Sequence, residues 1–281
     1  MAGFIDVSCV QMNPVLGDFD ANISIIKEHI KEITELRPGT DLIVFPELVT
    51  SGYECTKSEF DSLAESIDMN SKSIRGVADL CKKYDVNVVY GLPETDPKTP
   101  DVLYNSSVMI GNEGSILGSF RKIHPFDEEK VWCLPGQDIS VINTPFGKIG
   151  LMICWDTAFP ELARIYALQG ADLLVVSSCW ENPYSDDWDL FTRARAIDNT
   201  LHLVSSNRVG ADRTLSFFGH SNIVSPVGKV ISSLDDATEG VVHAKIDLGL
   251  TAKLREDYYS MFDDRHPQLY GELAASELQN Q

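Results

Sequence analysis

Lys148-Ile-Gly-Leu-Met-Ile-Cys154 is an apolar run that ends on a thiol, and Trp155-Asp-Thr-Ala-Phe-Pro-Glu161 follows without a spacer. The run reads as a buried strand and the polar segment as a sharp turn into a helix. Pro160 suits the first helical position, where the N–H it lacks would be unpaired anyway, and Glu161 suits the positive end of the helix dipole. A strand–turn–helix corner of this kind lifts a nucleophile out of a sheet. It also aims nearby backbone N–H groups, here that of Trp155, at whatever the nucleophile attacks. A cysteine in an apolar strand is more often a small core residue. The abrupt turn, together with two partners elsewhere in the chain, shifts the reading of Cys154 toward catalysis.

Outward from this corner, strand and helix signals alternate. Phe4–Gln11 reads as a strand, and Asn22–Leu36 has helical apolar spacing through Ile23, Ile26, Ile30 and Ile33. Asp41–Phe45 is a short apolar strand, Ser71–Tyr84 a helix and Val86–Gly91 the strand after it. Val102–Ile110 and Ser115–Arg121 form a hairpin around Gly111–Gly114. After Cys154 come a helix to about Gln169, a strand Asp172–Ser177, a helix Asp189–Asn199 and a strand Leu201–Ser206. Gly219–Ser225 and Lys229–Ser232 read as a second hairpin, and Val241–Ile246 closes the set. Strands this apolar are buried on both faces, which two mixed sheets stacked face to face with helices outside would achieve. No linker or composition break divides residues 1–281, so one α/β domain is expected. Its polar, aromatic tail from Thr251 is expected to fray or to pack on a partner subunit.

Composition narrows the function. The chain has 281 residues, 43% hydrophobic and 23% charged, and its 42 acidic against 23 basic residues leave a net charge of −19. A surface this negative repels phosphate backbones, so nucleic acid is not an expected partner. Six cysteines are scattered without a CxxC pair, and the opening Met1–Val7 reads as a first strand rather than a secretory segment. Reduced thiols in a cytoplasmic protein are expected, with no membrane span. There is no HExxH, no Cys/His cluster and no phosphate-cradling glycine loop, so neither a metal nor a nucleotide cofactor is expected.

Three ionisable residues share one placement. Glu47 follows Leu42-Ile-Val-Phe-Pro46, Lys122 follows Ile116-Leu-Gly-Ser-Phe-Arg121, and Cys154 follows Ile149–Ile153. Parallel strands would bring these ends to one mouth of a sheet. Singly, Glu47 could cap a helix, Lys122 could be solvated and Cys154 could be core. Together they form a chemistry: a carboxylate takes the thiol proton and later activates water, while an ammonium stabilises the developing oxyanion.

On these residues the chain resembles the nitrilase superfamily of carbon–nitrogen hydrolases. The resemblance rests on Phe45-Pro-Glu-Leu48 with Gly52-Tyr53, on Phe120-Arg-Lys-Ile-His124, and on Cys154-Trp-Asp156 with Phe159-Pro-Glu161. Arg193–Asn199, Ser206–Gly210 and Gly219–Pro226 also match, in family order, to about Tyr270. The resemblance implies a four-layer α-β-β-α sandwich with two mixed sheets, forming a homodimer or a higher homo-oligomer. It implies Glu47 as base, Lys122 as oxyanion stabiliser, Cys154 as nucleophile and a second glutamate at Glu128-Glu129, of which Glu129 is chosen. Tyr53, Phe126, Trp132, Trp155 and Trp180 are candidate pocket walls, and His124 is read as a hydrogen-bonding partner rather than the base. Asp198 stands where glutamate is commoner, which would loosen a structural contact. Trp155-Asp156 leans toward hydrolysis of a small carboxamide. A nitrile or an N-carbamoyl substrate is the near alternative, and a non-catalytic interaction protein on this fold the alternative from another class.

Overall fold

Successive residues of the central strands after the first enter different cores, which is why those strands carry no polar alternation, while the first strand sends Ile5, Val7 and Cys9 inward and sets Asp6 and Ser8 between them. The computed structural model describes residues 3–274. In β1 (Phe4–Gln11), Ile5, Val7 and Cys9 face a cluster between two sheets, whereas Val10 joins a cluster beneath helices. In β2 (Leu42–Val44), Leu42 and Val44 face between the sheets and Ile43 faces the helices. In β3 (Asn87–Asp96), Val89 divides from Val88 and Tyr90 in the same way. The covering helices are α1 (Phe19–Leu36), which buries Ile23, Ile26, Ile30 and Ile33 on one face, and α3 (Lys72–Tyr84), which buries Ile74, Val77 and Cys81. Between them in sequence lies the short α2 (Lys57–Leu63).

The first sheet is completed by β4 (Thr99–Ile110) and β5 (Ile116–Arg121), and α4 (Glu129–Trp132) follows. The second half repeats the plan. β6 (Ile142–Thr144) and β7 (Gly147–Ile153) lead to α5 (Pro160–Leu168), β8 (Leu173–Ser178), α6 (Ser185–Asn199) and β9 (His202–Asn207). A small hairpin of β10 (Val209–Ala211) and β11 (Ser216–Phe218) precedes β12 (Asn222–Val224), β13 (Val230–Ser233) and β14 (Gly240–Asp247), and α7 (Leu250–Asp257) ends the regular elements.

Two six-stranded sheets result, ordered β14-β1-β2-β3-β4-β5 and β13-β12-β9-β8-β7-β6. Each has a parallel trio at its centre, β1-β2-β3 and β7-β8-β9, flanked by antiparallel strands. The sheets stack face to face, and Ser177 Oγ of β8 donates across the gap to the Phe45 carbonyl at 2.9 Å. With α1 and α3 outside one sheet and α5 and α6 outside the other, the molecule is the expected α-β-β-α sandwich.

Three details differ from the sequence reading. β3 continues past Gly91 to Asp96, and α2, β6, α4, the β10–β11 hairpin and α7 were not anticipated. The start of the tail packs on its own chain rather than standing free. Thr251 is buried, Arg255 donates to the Asn199 carbonyl at 2.6 Å, and Phe262 lies under the guanidinium groups of Arg164 and Arg255. The tail's last stretch, residues 275–281, lies outside the described residues, as do residues 1–2. Asp198 still reaches Arg195 at 3.0 Å, so its shorter side chain leaves that pair intact. Among the described residues no helix is long and apolar enough to cross a membrane.

Candidate active site

The expectation that strand ends converge at one mouth of a sheet is corrected: the ends come from both sheets and meet across the gap between them. Glu47 stands three residues past β2, after Pro46. The backbone pairing of β2 with β3 continues through Phe45 N to Val89 O at 2.8 Å and Gly91 N to Pro46 O at 3.2 Å. This brings Glu47 against Gly91, where an added Cβ would lie 2.7 Å from the Glu47 Cα and 2.5 Å from the Leu48 nitrogen. Only glycine admits so close a backbone approach.

The Glu47 carboxylate is fully buried and held from three directions. Its Oε1 accepts from Lys122 Nζ and from Asn105 Nδ2 of β4, each at 2.7 Å, and its Oε2 accepts from the Cys179 backbone N–H at 2.7 Å. Cys179 follows β8, so one carboxylate is fixed by groups of both sheets. Lys122 stands one residue past β5, its N–H donating to the Asn105 carbonyl at 2.8 Å. Its ammonium, without solvent exposure, also donates to Glu129 Oε1 at 2.7 Å. Glu129 opens α4 and is buried, whereas the adjacent Glu128 is exposed. Glu129 accepts in turn from the Tyr53 hydroxyl at 2.8 Å and from the Phe126 N–H at 3.1 Å.

Two carboxylates around one ammonium set the electrostatics. Burial alone would lower the Lys122 pKa, but Glu129 and Glu47 outweigh it and keep the ammonium charged, well above the usual lysine value. Burial pushes Glu129 up to about 7, with Lys122 pulling it down and Glu47 pushing it further up. Tyr53 is raised well above its ordinary value by burial and by Glu129.

Cys154 lies one residue beyond β7 rather than at its last residue, as the first residue of a 3₁₀ turn, Cys154–Ala158, that leads into α5. Its φ is +45°, a left-handed conformation uncommon for a side chain with a Cβ and a frequent mark of functional turns. The turn is braced from below. Thr157 Oγ1 donates to the Cys154 carbonyl at 2.7 Å, and the buried Asp156 accepts from Ile153 N at 3.1 Å. The other Asp156 oxygen accepts from the His124 backbone and ring nitrogens at 3.1 and 2.7 Å, tying the cysteine turn to the segment that carries Lys122. The thiol is raised well above the ordinary cysteine value, by burial first and Glu47 second, with Lys122 opposing.

Cys154 faces a cavity of about 500 Å³ walled by Phe126, Trp155 and Trp180. The Trp155 ring lies 4.9 Å from Phe126 and 5.5 Å from Trp180, centroid to centroid. Tyr53 and Trp132 instead line an adjoining cavity of about 370 Å³ with Glu129, and the two share Phe126, Asp127, Glu181 and Leu215. Sequence reasoning missed Asn105, the Cys179 N–H and the bracing role of Asp156. Asn105 opens the polar run Asn105-Ser106-Ser107 of β4, and nothing local singles it out from its neighbours or marks the Cys179 N–H. Among the described residues no group of three or more His, Cys, Asp or Glu side chains is arranged to hold a metal ion.

The chain is similar to known proteins over nearly its whole length. The family model for carbon-nitrogen hydrolases matches residues 6–256. A probable nitrilase of Schizosaccharomyces pombe is 50% identical over 95% of this chain and 98% of its own length. A 2-oxoglutaramate amidase of Bacillus subtilis is 32% identical over 94% of this chain and 98% of its own. The crystal structure of a carbon-nitrogen hydrolase from Helicobacter pylori superposes with a TM-score of 0.89 at 28% identity, covering 97% of this chain and 98% of that one.

Proposed function

We propose, from the premise that the chain belongs to the carbon–nitrogen hydrolase family, that it hydrolyses a small carboxamide through a thioester on Cys154. The observation that carries the reading is the buried Glu47–Lys122–Glu129 group, joined at 2.7 Å contacts, beside the cavity on which Cys154 opens. Burial and Glu47 raise the thiol above the ordinary cysteine value, which disfavours a free thiolate and calls for a base acting in step with attack. Glu47 takes the thiol proton as the sulfur bonds to the amide carbon and the carbonyl electrons move onto oxygen. Lys122 and the Trp155 N–H stabilise that oxyanion. The tetrahedral centre collapses, the C–N bond breaks, and the proton held by Glu47 passes to the leaving nitrogen, which departs as ammonia. Water then adds to the thioester with Glu47 as base, and the acid leaves as the proton returns to sulfur.

Glu129, fixed by Tyr53, holds Lys122 in place and shares its charge. The aromatic walls exclude water and bind the acyl chain. The same residues acting on a nitrile would form a thioimidate, a reading favoured by the S. pombe relative described as a probable nitrilase. Ammonia release from amide and nitrile pairs of equal chain length separates the two. Amide turnover with inert nitriles supports the first reading, and nitrile turnover with inert amides overturns it. Mass spectrometry of quenched enzyme should also show an acyl adduct on the peptide bearing Cys154.

The chain is read as a single domain over residues 1–281. The apolar surface left by Tyr258, Leu269 and Leu273 supports a homodimer, which light scattering would detect. Six free thiols are consistent with a cytoplasmic setting.

A further inference from the structure

The cavity on Cys154 is walled by rings and carboxylates, and among the described residues no basic side chain lines it. Asp127, Glu181 and Asp187 stand around Phe126, Trp155 and Trp180. Among the described residues no Lys, Arg or His pairs with any of these three carboxylates. In the adjoining cavity the one Lys or Arg among the described residues is Lys57, held at 2.6 Å by Asp61. Lys122 lines neither cavity, and with two of its three N–H donors held by Glu47 and Glu129 its remaining one serves the reacting end rather than the far end of a substrate. A negatively charged substrate end would lose its water here against like charges, with no counter-ion to replace it.

Glu181 is the best placed of the three. Its backbone bridges to Phe217, and the next N–H, of Asn182, donates to the Ser216 carbonyl at 2.8 Å, so the residue is fixed at the wall both cavities share. Its side chain is half-buried, and burial holds its carboxyl above the ordinary value. An arriving cation would relieve that cost. The faces of Trp155, Trp180 and Phe126, with centroids 4.9 to 5.5 Å apart, favour the same charge. The net charge of −19 steers in the same sense.

We infer that the substrate is a small carboxamide whose far end carries a cationic group, an ammonium or guanidinium, and that Glu181 selects it. This rests on the amide-hydrolase reading for the reacting end, so the test separates binding from chemistry. Calorimetry on the Cys154→Ala protein compares 4-aminobutanamide, butanamide and succinamate, which differ chiefly in end charge. The cation should bind at least tenfold more tightly than the neutral amide, and succinamate most weakly. Glu181→Gln in the same background should erase the tenfold advantage. Succinamate binding as tightly as the cation, equal binding of all three, or binding of none would overturn the inference. Ammonia release by the intact enzyme from the same amides judges the chemistry. Fastest release from succinamate defeats the charge inference and leaves amide hydrolysis standing. Release from none defeats amide hydrolysis, and calorimetry still decides the charge preference.

Discussion

Replacing Lys122 by methionine removes one charge from a closed cluster while keeping nearly the same length of side chain. Nζ touches Glu47 and Glu129 at 2.7 Å each, and the lysine side chain has no solvent exposure. At an effective dielectric near 20, a contact of this length is worth roughly 6 kcal/mol before desolvation, which offsets most of it. Removing one partner of a buried pair leaves the other uncompensated and costs about 3–5 kcal/mol. Here two carboxylates lose their shared cation, and one of them must take a proton. Urea unfolding at pH 7 should therefore show a loss of about 3–5 kcal/mol. If Lys122 also stabilises the oxyanion, kcat should fall by about 10²–10³. Adding Glu129→Gln removes one stranded charge and should return about 2 kcal/mol, with no recovery of turnover. A stability loss below about 1 kcal/mol would refute the compensation argument. Turnover within about tenfold of the parent would refute the catalytic one.

Cys154→Ser should remove nearly all turnover while leaving the unfolding midpoint close to the parent, because a hydroxyl is far harder to ionise than a thiol; normal turnover contradicts the assignment. Burial raises Glu129 from its ordinary 4.5 to about 7. Between those values the folded chain keeps a proton that the unfolded chain has released, so this group's contribution to stability falls as pH rises through that window. Parallel stability–pH slopes for the parent and Glu129→Gln would exclude the effect. Gly91→Ala places a Cβ 2.5 Å from the Leu48 nitrogen and 2.7 Å from the Glu47 Cα, where ordinary contact begins at 3.4 Å. The Glu47 backbone must shift, and a displacement of about 1 Å lowers turnover by about 10²-fold; unchanged kcat in folded protein would show that Glu47 tolerates it.

The corner at Cys154 is legible in the sequence because its signals are local: an apolar run, an abrupt polar turn, and Pro160 and Glu161 where a helix should begin. The helices α1 and α3 are legible for the same reason, their buried faces recurring at helical spacing. α2 carried a readable cue too, the Thr56–Glu59 capping box, with Thr56 N donating to Glu59 at 2.7 Å. β6, β10 and β11 are too short for periodicity to register, and contacts with the rest of the fold define them. Asn105, Cys179 and His124 brace the site through partners 58, 132 and 32 residues away, beyond any local pattern. Glu128 and Glu129 offer identical chemistry side by side, and only the phase of α4 decides which one meets Lys122.

The location of the Glu47 carboxylate is set less by its own hydrogen bonds than by the packing of the first sheet. Lys122, Asn105 and the Cys179 N–H orient its oxygens, and the side chains of the first two have rotatable bonds that could follow a carboxylate displaced by a fraction of an ångström. The backbone of Glu47 has no such latitude, because β3 lies against it at Gly91 with no room for a methyl group. In sequence that residue is an isolated glycine inside the apolar run Val88-Val-Tyr-Gly-Leu92, a cue for a bulge or a close approach. The register of β2 on β3, with Val44 opposite Val89, makes it a close approach, since it carries Pro46 and Glu47 alongside Gly91. Gly91 thereby fixes where the Glu47 backbone stands against the second sheet, and under the proposed mechanism, with Glu47 as base to Cys154, the separation of the two sheets becomes a term in the chemistry.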